Sequence, residues 1–261
     1  MIQPERGILT YPLELAAGNV TAHTYVQKFG RSAAGVLNTE VGVAEGGIFY
    51  MPTTATQMRV KAGGNAADTA AGAGAREITI VGLDASGLPI SETIATAGES
   101  ASAATTQSFL RVHRAYVSAA GAYPTTGLST TGTNQAAVTI EIAAGSQDVI
   151  TIPQYEGQTV YGGYHIPPNK YAYMLSAEMA VASGKSATLR LYQRGAFLTT
   201  SAPTQAQRRM LIFDGLTGLF RYEPHIPLQF TPETDLWWTF EAAANGTQCS
   251  VVFELLLVDA S

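Results

Sequence analysis

Residues 66–94 read AADTAAGAGAREITIVGLDASGLPISETI. Two chemistries compete for this stretch, and the fold follows from the winner. Gly72-Ala-Gly74 is a glycine pair of the kind that cradles a phosphate. A dinucleotide loop, however, needs a strand before it, a third glycine three residues on and a helix after it. Here Glu77 takes the third position and polar residues 65–68 precede the pair. An alternation follows, with Ile78 and Ile80 on one face and Glu77 and Thr79 on the other, which is the period of a strand. The helix whose N-terminus would hold the phosphate is missing from the pattern. Asp84-Ala-Ser-Gly87 then supplies a turn former and a glycine able to take positive φ. Leu88, Ile90 and Ile94 resume the alternation, with Pro89 suited to an edge strand. The stretch is predicted to be a β-hairpin, Glu77 to Thr93, approached through a glycine bend.

The same period extends outward on both sides. Strands are predicted over Thr56–Lys61, Phe109–Ser118 and Ala137–Ile142, with a Gly/Thr/Ser loop over residues 119–134. From residue 147 come Val149–Ile152, Thr159–His165, Tyr171–Val181, Ala187–Arg194, Met210–Phe213, Leu219–Tyr222, Leu228–Phe230, Leu236–Ala242 and Gln248–Val258. Ser183-Gly184-Lys185-Ser186 and Asn245-Gly246 read as short hairpin turns, and Pro167-Pro168-Asn169 and residues 231–235 as longer corners. Residues 1–48 are punctuated by glycine and proline without sustained periodicity, apart from one short strand over Ala22–Phe29. They read as an extended arm, disordered or tied to a neighbouring subunit. No stretch holds a 3.6 period for three turns. The predicted fold is all-β, with β-sandwich or jelly-roll-like domains: an N-terminal arm (1–48), a first β domain (49–146) and a C-terminal sandwich (147–261).

Composition excludes several functions. Charged residues make up only 13% of the chain and the net charge is −5, so the basic face of a dedicated nucleic-acid binder is absent. The densest basic cluster, Gln207-Arg208-Arg209, reads as an exposed loop. A single cysteine, Cys249, rules out an intrachain disulfide framework and is expected to pack in the core. The opening Met-Ile-Gln-Pro-Glu-Arg lacks the order of a signal peptide, and the longest apolar run, Val251–Val258, is broken by Glu254. A soluble protein made in a reducing cytoplasm is expected.

Candidate chemistry dissolves on inspection. Gly184-Lys185-Ser186 resembles the end of a P-loop, but Met179 stands where its first glycine belongs. His23, His113, His165 and His225 are never within five residues of one another, so no metal-ligand spacing arises. No Gly-x-Ser-x-Gly elbow occurs. Glu233 and Asp235 offer oxygen ligands of the type Ca²⁺ takes, yet in a proline-containing corner they read as solvated residues. Tyr161, Tyr164, Tyr171, Tyr173, Trp237 and Trp238 include a potential sugar-stacking platform, but adjacent tryptophans on a strand must face opposite ways. No residue is assigned a catalytic, cofactor-binding or metal-binding role, and no cofactor is expected.

The segment NAADTAAGAGAREITIVGLDASGLPISETI (65–94), followed by QSFLRVHRAYV (107–117), resembles a segment of structural proteins of tailed bacteriophages, including cyanophages. In that family an Asn-Asp-Thr-Ala-Ala-Gly-type opening leads into a Gly-Leu-Asp hairpin, and a Phe-Leu-Arg-Val-x-Arg-x-Tyr-Val strand follows. Asp68 to Gly72, Gly74 to Arg76, Gly82 to Asp84, Glu92, Thr93, Phe109 to Val112, Arg114, Tyr116 and Val117 match it here. YHIPPNKYAYMLSAEMAVASGKSATLRLYQR (164–194), TPETDLWWTFEAAANGTQCSVVFELLLVD (231–259) and KFGR (28–31) extend the likeness over residues 28–259. Where family members often carry a tryptophan-Gly-Gly-aromatic turn, this chain has Ala44-Glu45-Gly46-Gly47-Ile48-Phe49-Tyr50. The resemblance implies a non-enzymatic virion structural protein made in the bacterial host cytoplasm. The expected role is a capsid decoration, or cement, protein on the head surface. It would act as a homo-oligomer, for instance a trimer, with the major capsid protein or other virion proteins as partners. A tail, baseplate or head-fibre component is the alternative, and a carbohydrate-binding module a more distant one. Neither nucleic acid nor membrane is an expected partner.

Overall fold

The computed structural model describes residues 11–123, 130–198 and 206–260. The first ten residues of the expected arm, including the stretch read against a signal peptide, lie outside the described residues, as do residues 124–129 of the expected loop. A short helix α1 (Tyr11–Ala16) precedes β1 (His23–Gly35) and β2 (Glu40–Gly42). A turn of 3-10 helix, Glu45–Gly47, leads to β3 (Thr56–Val60), β4 (Ala75–Leu83), β5 (Pro89–Ala95), β6 (Ser108–Phe109), β7 (Arg111–Ala120), β8 (Val138–Ile142) and β9 (Asp148–Ile152). Next come β10 (Gly163–His165), β11 (Lys170–Val181), β12 (Ala187–Arg194), β13 (Arg208–Leu216) and β14 (Gly218–Tyr222). β15 (Leu228–Phe230), β16 (Asp235–Ala242) and β17 (Thr247–Asp259) complete the chain. The all-β class and the sandwich-like layering are as the sequence predicts.

The larger sandwich joins a sheet of order β1-β17-β11-β14, with β15 also on β11, to a sheet of order β10-β16-β12-β13, with β2 on β16. Strict alternation along β17 turns Cys249, Val251, Phe253, Leu255 and Leu257 inward, where they meet Met174, Met179, Leu189, Trp238 and Phe240. The smaller unit stacks β6-β3-β8-β9 against β5-β4-β7 around Met58, Ile78, Ile80, Phe109, Ile140 and Ile150. Its β4–β5 hairpin pairs Glu77 with Ala95 through Leu83 with Pro89, and β5 is an edge strand, as Pro89 requires. Asp84 closes the turn: its carboxylate accepts from the Ser86 and Leu88 amides, and Gly87 sits at φ +73°.

Three expectations need correction. The segment read as an arm is structural: β1 pairs antiparallel with β17 from His23↔Val258 to Ser32↔Cys249, and β2 pairs with β16. Its periodicity is hidden because the more buried positions are Val26, Lys28, Gly30 and Ser32, only one of them a large apolar residue. The boundary at 146/147 also moves, since β9 forms a hairpin with β8, Ile140 opposite Ile150. The smaller sandwich, β3 to β9, is thus inserted between β2 and β10 of the larger one. Lastly, the turns at Gly184 and Gly246 are corners rather than hairpins. β11 and β12 lie in different sheets, as do β16 and β17, because turn residues specify a reversal of direction and not the partner strand.

The entry and exit of the inserted unit are pinned side by side. Gly162 donates to the Val43 carbonyl at 2.8 Å, Val43 to the Trp238 carbonyl at 3.0 Å, and Trp238 to the Gly162 carbonyl at 2.8 Å. Gly30 lies so close that a Cβ there would fall 2.2 Å from the Gly162 nitrogen and 2.4 Å from the Val43 oxygen.

Candidate functional site

Most features singled out in the sequence have local structural roles. Gly72 donates to the Thr69 carbonyl and Gly74 to the Ala67 carbonyl, so the bend consumes its own amides. A Cβ on Gly74 would lie 2.1 Å from Asp68 Oδ1. That buried carboxylate ties the bend to residues 135–136 by accepting from Ala75, Gln135 and Ala136. Cys249 sits in the sandwich core, where burial pushes its thiol up to about 12. His225 is exposed, and His23 Nδ1 meets the Thr21 carbonyl at 2.8 Å. Arg208 and Arg209 open β13, paired with Gln193 and Tyr192, rather than forming a loop. Trp238 lies in the core, while Trp237 stacks on Tyr192 at 5.7 Å and faces Phe49 of the inserted unit at 6.2 Å. Both tryptophans and Tyr161 are buried, which removes them from any surface platform.

What the sequence keeps apart, the junction between the two sandwiches brings together. Asp235, read from sequence as a solvated corner residue, is fully buried at the head of β16. Its Oδ1 accepts from Arg111 Nε and from His165 Nδ1, both at 2.8 Å. Its Oδ2 accepts from Arg111 Nη2 at 3.0 Å and Arg194 Nη2 at 2.8 Å. Arg111 comes from β7 of the inserted unit and also donates Nη1 to the Pro52 and Leu110 carbonyls, with its guanidinium 4.9 Å over the Phe197 ring. A bidentate arginine saturated in this way offsets the desolvation that burying a charge costs. With every acceptor position taken by a cation or imidazole, Asp235 has nothing left for Ca²⁺. Among the described residues no cluster of three or more His, Cys, Asp or Glu could hold a metal ion.

The electrostatics follow from burial. Burial opposes ionisation of Asp235, but the His165 hydrogen bond and the Arg111 guanidinium outweigh it and hold the carboxyl well below its ordinary range. His165 is 2% exposed, and burial pushes its pKa down against the upward pull of Asp235. The ring is therefore neutral at pH 7, with its proton on Nδ1 facing the carboxylate. His113 stands edge-on to His165 at 5.3 Å and to Tyr164 at 4.8 Å. Burial, then His165 and Lys28, hold it well below 6.5. His113 Nε2 and the Tyr161 hydroxyl are buried with no hydrogen-bond partner among the described residues. The Asp235–His165 pair has the form of a catalytic dyad, but a saturated carboxylate and an enclosed imidazole make it an electrostatic lock between sandwiches.

Beside the lock a half-open cleft of about 280 Å³ separates the β4–β7 face of the inserted unit from β1 and β10. Lys28 and His113 lie at its polar side, with Arg114 at the rim, and Val81, Leu83, Pro89 and Pro167 form apolar wall. Lys28 Nζ donates to the His113 carbonyl at 2.8 Å and stands 5.9 Å from the Tyr161 ring centre. Burial, and then the Arg114 charge, lower its pKa to about 8. The signal that could have found this junction is charge inside apolar runs: Arg111 follows Phe109-Leu110, and Asp235 precedes Leu236-Trp237-Trp238.

No protein-family model and no curated protein matches the chain. Among solved structures it is similar to the VP2 subviral particle of infectious bursal disease virus, at 11% identity over 97% of this chain and 78% of that one, TM-score 0.27. It is similar also to the Gt strain of that virus, at 10% identity over 96% and 83%, TM-score 0.22. The Cry4Aa toxin of Bacillus thuringiensis gives 9% identity over 80% and 44%, TM-score 0.24, so the chain spans less than half of that toxin. Such TM-scores fall short of a common fold.

Proposed function

We propose that the chain is a non-enzymatic structural protein of a tailed-phage virion, and that it decorates the outer head surface as a homo-oligomer. The observation that carries the assembly role is one edge of the larger sandwich. There β13 closes one sheet and β14 the other, held together by Phe213 against Phe220 and Tyr222 at 5.2 and 5.5 Å. Ile212, Leu219 and Phe220, with Ile226 just beyond, are exposed along this edge, Leu219 to 69% and Ile226 to 78%. Two ladders that no described strand covers, edged with apolar side chains, invite pairing. A second copy of the same edge is the occupant that suits a homo-oligomer. The low charge of the chain and its resemblance to phage structural proteins over residues 28–259 supply the virion context. Several weak contacts per oligomer would then act together on a repeating lattice. Against catalysis stands the saturation of the His165–Asp235 pair at the junction.

Native mass spectrometry of the full chain tests the assembly role. The wild type is expected as a discrete oligomer, and Leu219→Lys with Ile212→Lys as a folded monomer, because both side chains already face water. A wild type that stays monomeric, or a doubly substituted chain that assembles unchanged, overturns it. A tail, baseplate or head-fibre part remains the alternative, separated by copy number.

A further inference from the structure

We propose that the cleft between the two sandwiches binds a small organic anion, its carboxylate held between Lys28 and Arg114 and its apolar body lying along Val81, Leu83, Pro89 and Pro167. This site is independent of the virion reading, and the failure of either leaves the other standing.

The first ground is an uncompensated pair of cations. Neither Lys28 nor Arg114 forms an ion pair among the described residues. Among the described residues no aspartate or glutamate lines the cleft. Lys28 uses one N–H on the His113 carbonyl, which leaves two of its three donors, while Arg114 lies exposed with its guanidinium 4.7 Å over the Tyr116 ring. Burial first and the Arg114 charge second disfavour the Lys28 cation, and an anion between the two charges offsets both.

A second ground is the wall. A free inorganic ion would leave the half-buried Val81 and the exposed Pro89 facing water above the buried Leu83 and Pro167, whereas a carboxylate on an apolar body covers them. Gln27, Gln158 and Thr159 add neutral polar groups at the margin. About 280 Å³ sits at the small end of ligand pockets and suits a compact molecule. The third ground is rigidity. The cleft walls belong to different sandwiches, and the Arg111–Asp235 lock fixes their spacing, so the site is formed before the ligand arrives.

Benzoate is the probe, with acetate and inorganic phosphate alongside, read by calorimetry and by NMR of ¹³C-methylated lysines on the full chain. Saturable benzoate binding is expected, at least about tenfold tighter than either small ion and weakened at least about tenfold by Lys28→Met or Arg114→Gln. Saturating benzoate should also raise the Lys28 pKa by about 1, the linkage counterpart of a tenfold preference for the charged amine. Arg114 is exposed, so Arg114→Gln keeps the test valid even if Lys28→Met folds poorly. No saturation up to about 50 mM benzoate overturns the proposal. So does acetate or phosphate binding as tightly as benzoate, or affinity unchanged in Arg114→Gln.

Discussion

Asp235→Asn is the sharpest probe of the junction. The amide is the same size as the carboxylate, so packing is preserved and only charge and one acceptor are lost. In either amide orientation the new NH₂ faces two donors: Arg111 Nη2 with Arg194 Nη2, or Arg111 Nε with His165 Nδ1. Arg111 is 3% exposed and cannot follow its charge into water. Removing one partner from a buried pair of this kind costs about 3–5 kcal/mol. An unfolding entropy of about 2.1 cal/mol/K per residue gives 261 residues about 0.55 kcal/mol/K, so the loss becomes a fall of about 5–9 °C in Tm. Differential scanning calorimetry reads it directly and also shows whether the two sandwiches then melt apart. The double substitution Arg111→Met with Asp235→Leu should lose less than the sum of its singles, because both charges leave together. A Tm for Asp235→Asn within about 1 °C of wild type would refute the assignment of this cluster as the lock between the units.

Other outcomes follow from the same geometry. Gly30→Ala forces a Cβ into the Gly162 and Val43 backbone and should cost about 3 kcal/mol by urea unfolding; a neutral effect would mean the domain crossing is not tightly packed. His113 and His165 both hold folded pKa values below 6.5, so their contribution to stability is full above that pH and is lost as the unfolded chain takes up protons below it. Asp235, also depressed, withdraws its share only at far lower pH. Tm should therefore fall between about pH 7.5 and pH 5, and His113→Gln should flatten that slope; a flat wild-type profile contradicts the burial of neutral imidazoles. Cys249, buried with its thiol raised to about 12, should resist iodoacetamide in the native protein and react fully once unfolded, while rapid native labelling would place it elsewhere.

Strands were legible wherever one face is apolar and the other polar. Ala187–Arg194 and Leu228–Phe230 have the predicted bounds, and the Glu77–Thr93 hairpin forms, with Thr79 opposite Thr93 and Glu77 opposite Ala95. β1 was legible only in its first part, predicted over Ala22–Phe29, because its continuation to Gly35 buries Gly30 and Ser32 at a domain crossing rather than a hydrophobic stripe. β16 is buried on both faces, since the inserted unit covers the side opposite the core, so the strand predicted over Leu236–Ala242 forms without the alternation of a half-buried one. The junction was hidden for a different reason. Arg111 and Asp235 lie 124 positions apart, and their pairing depends on how an inserted sandwich docks, which no local pattern encodes. The same holds for Lys28, whose sequence neighbours give no sign that it shares a cleft with Arg114.

The central proposal, a decoration protein on a phage head, is tested most directly by cryo-electron microscopy of purified virus particles that contain this chain, with the copy number checked by gel densitometry. The account predicts density for this two-sandwich chain on the outer head lattice, in hundreds of copies per particle and in symmetric oligomers. Density confined to the tail in a few copies, or none at all, would contradict it.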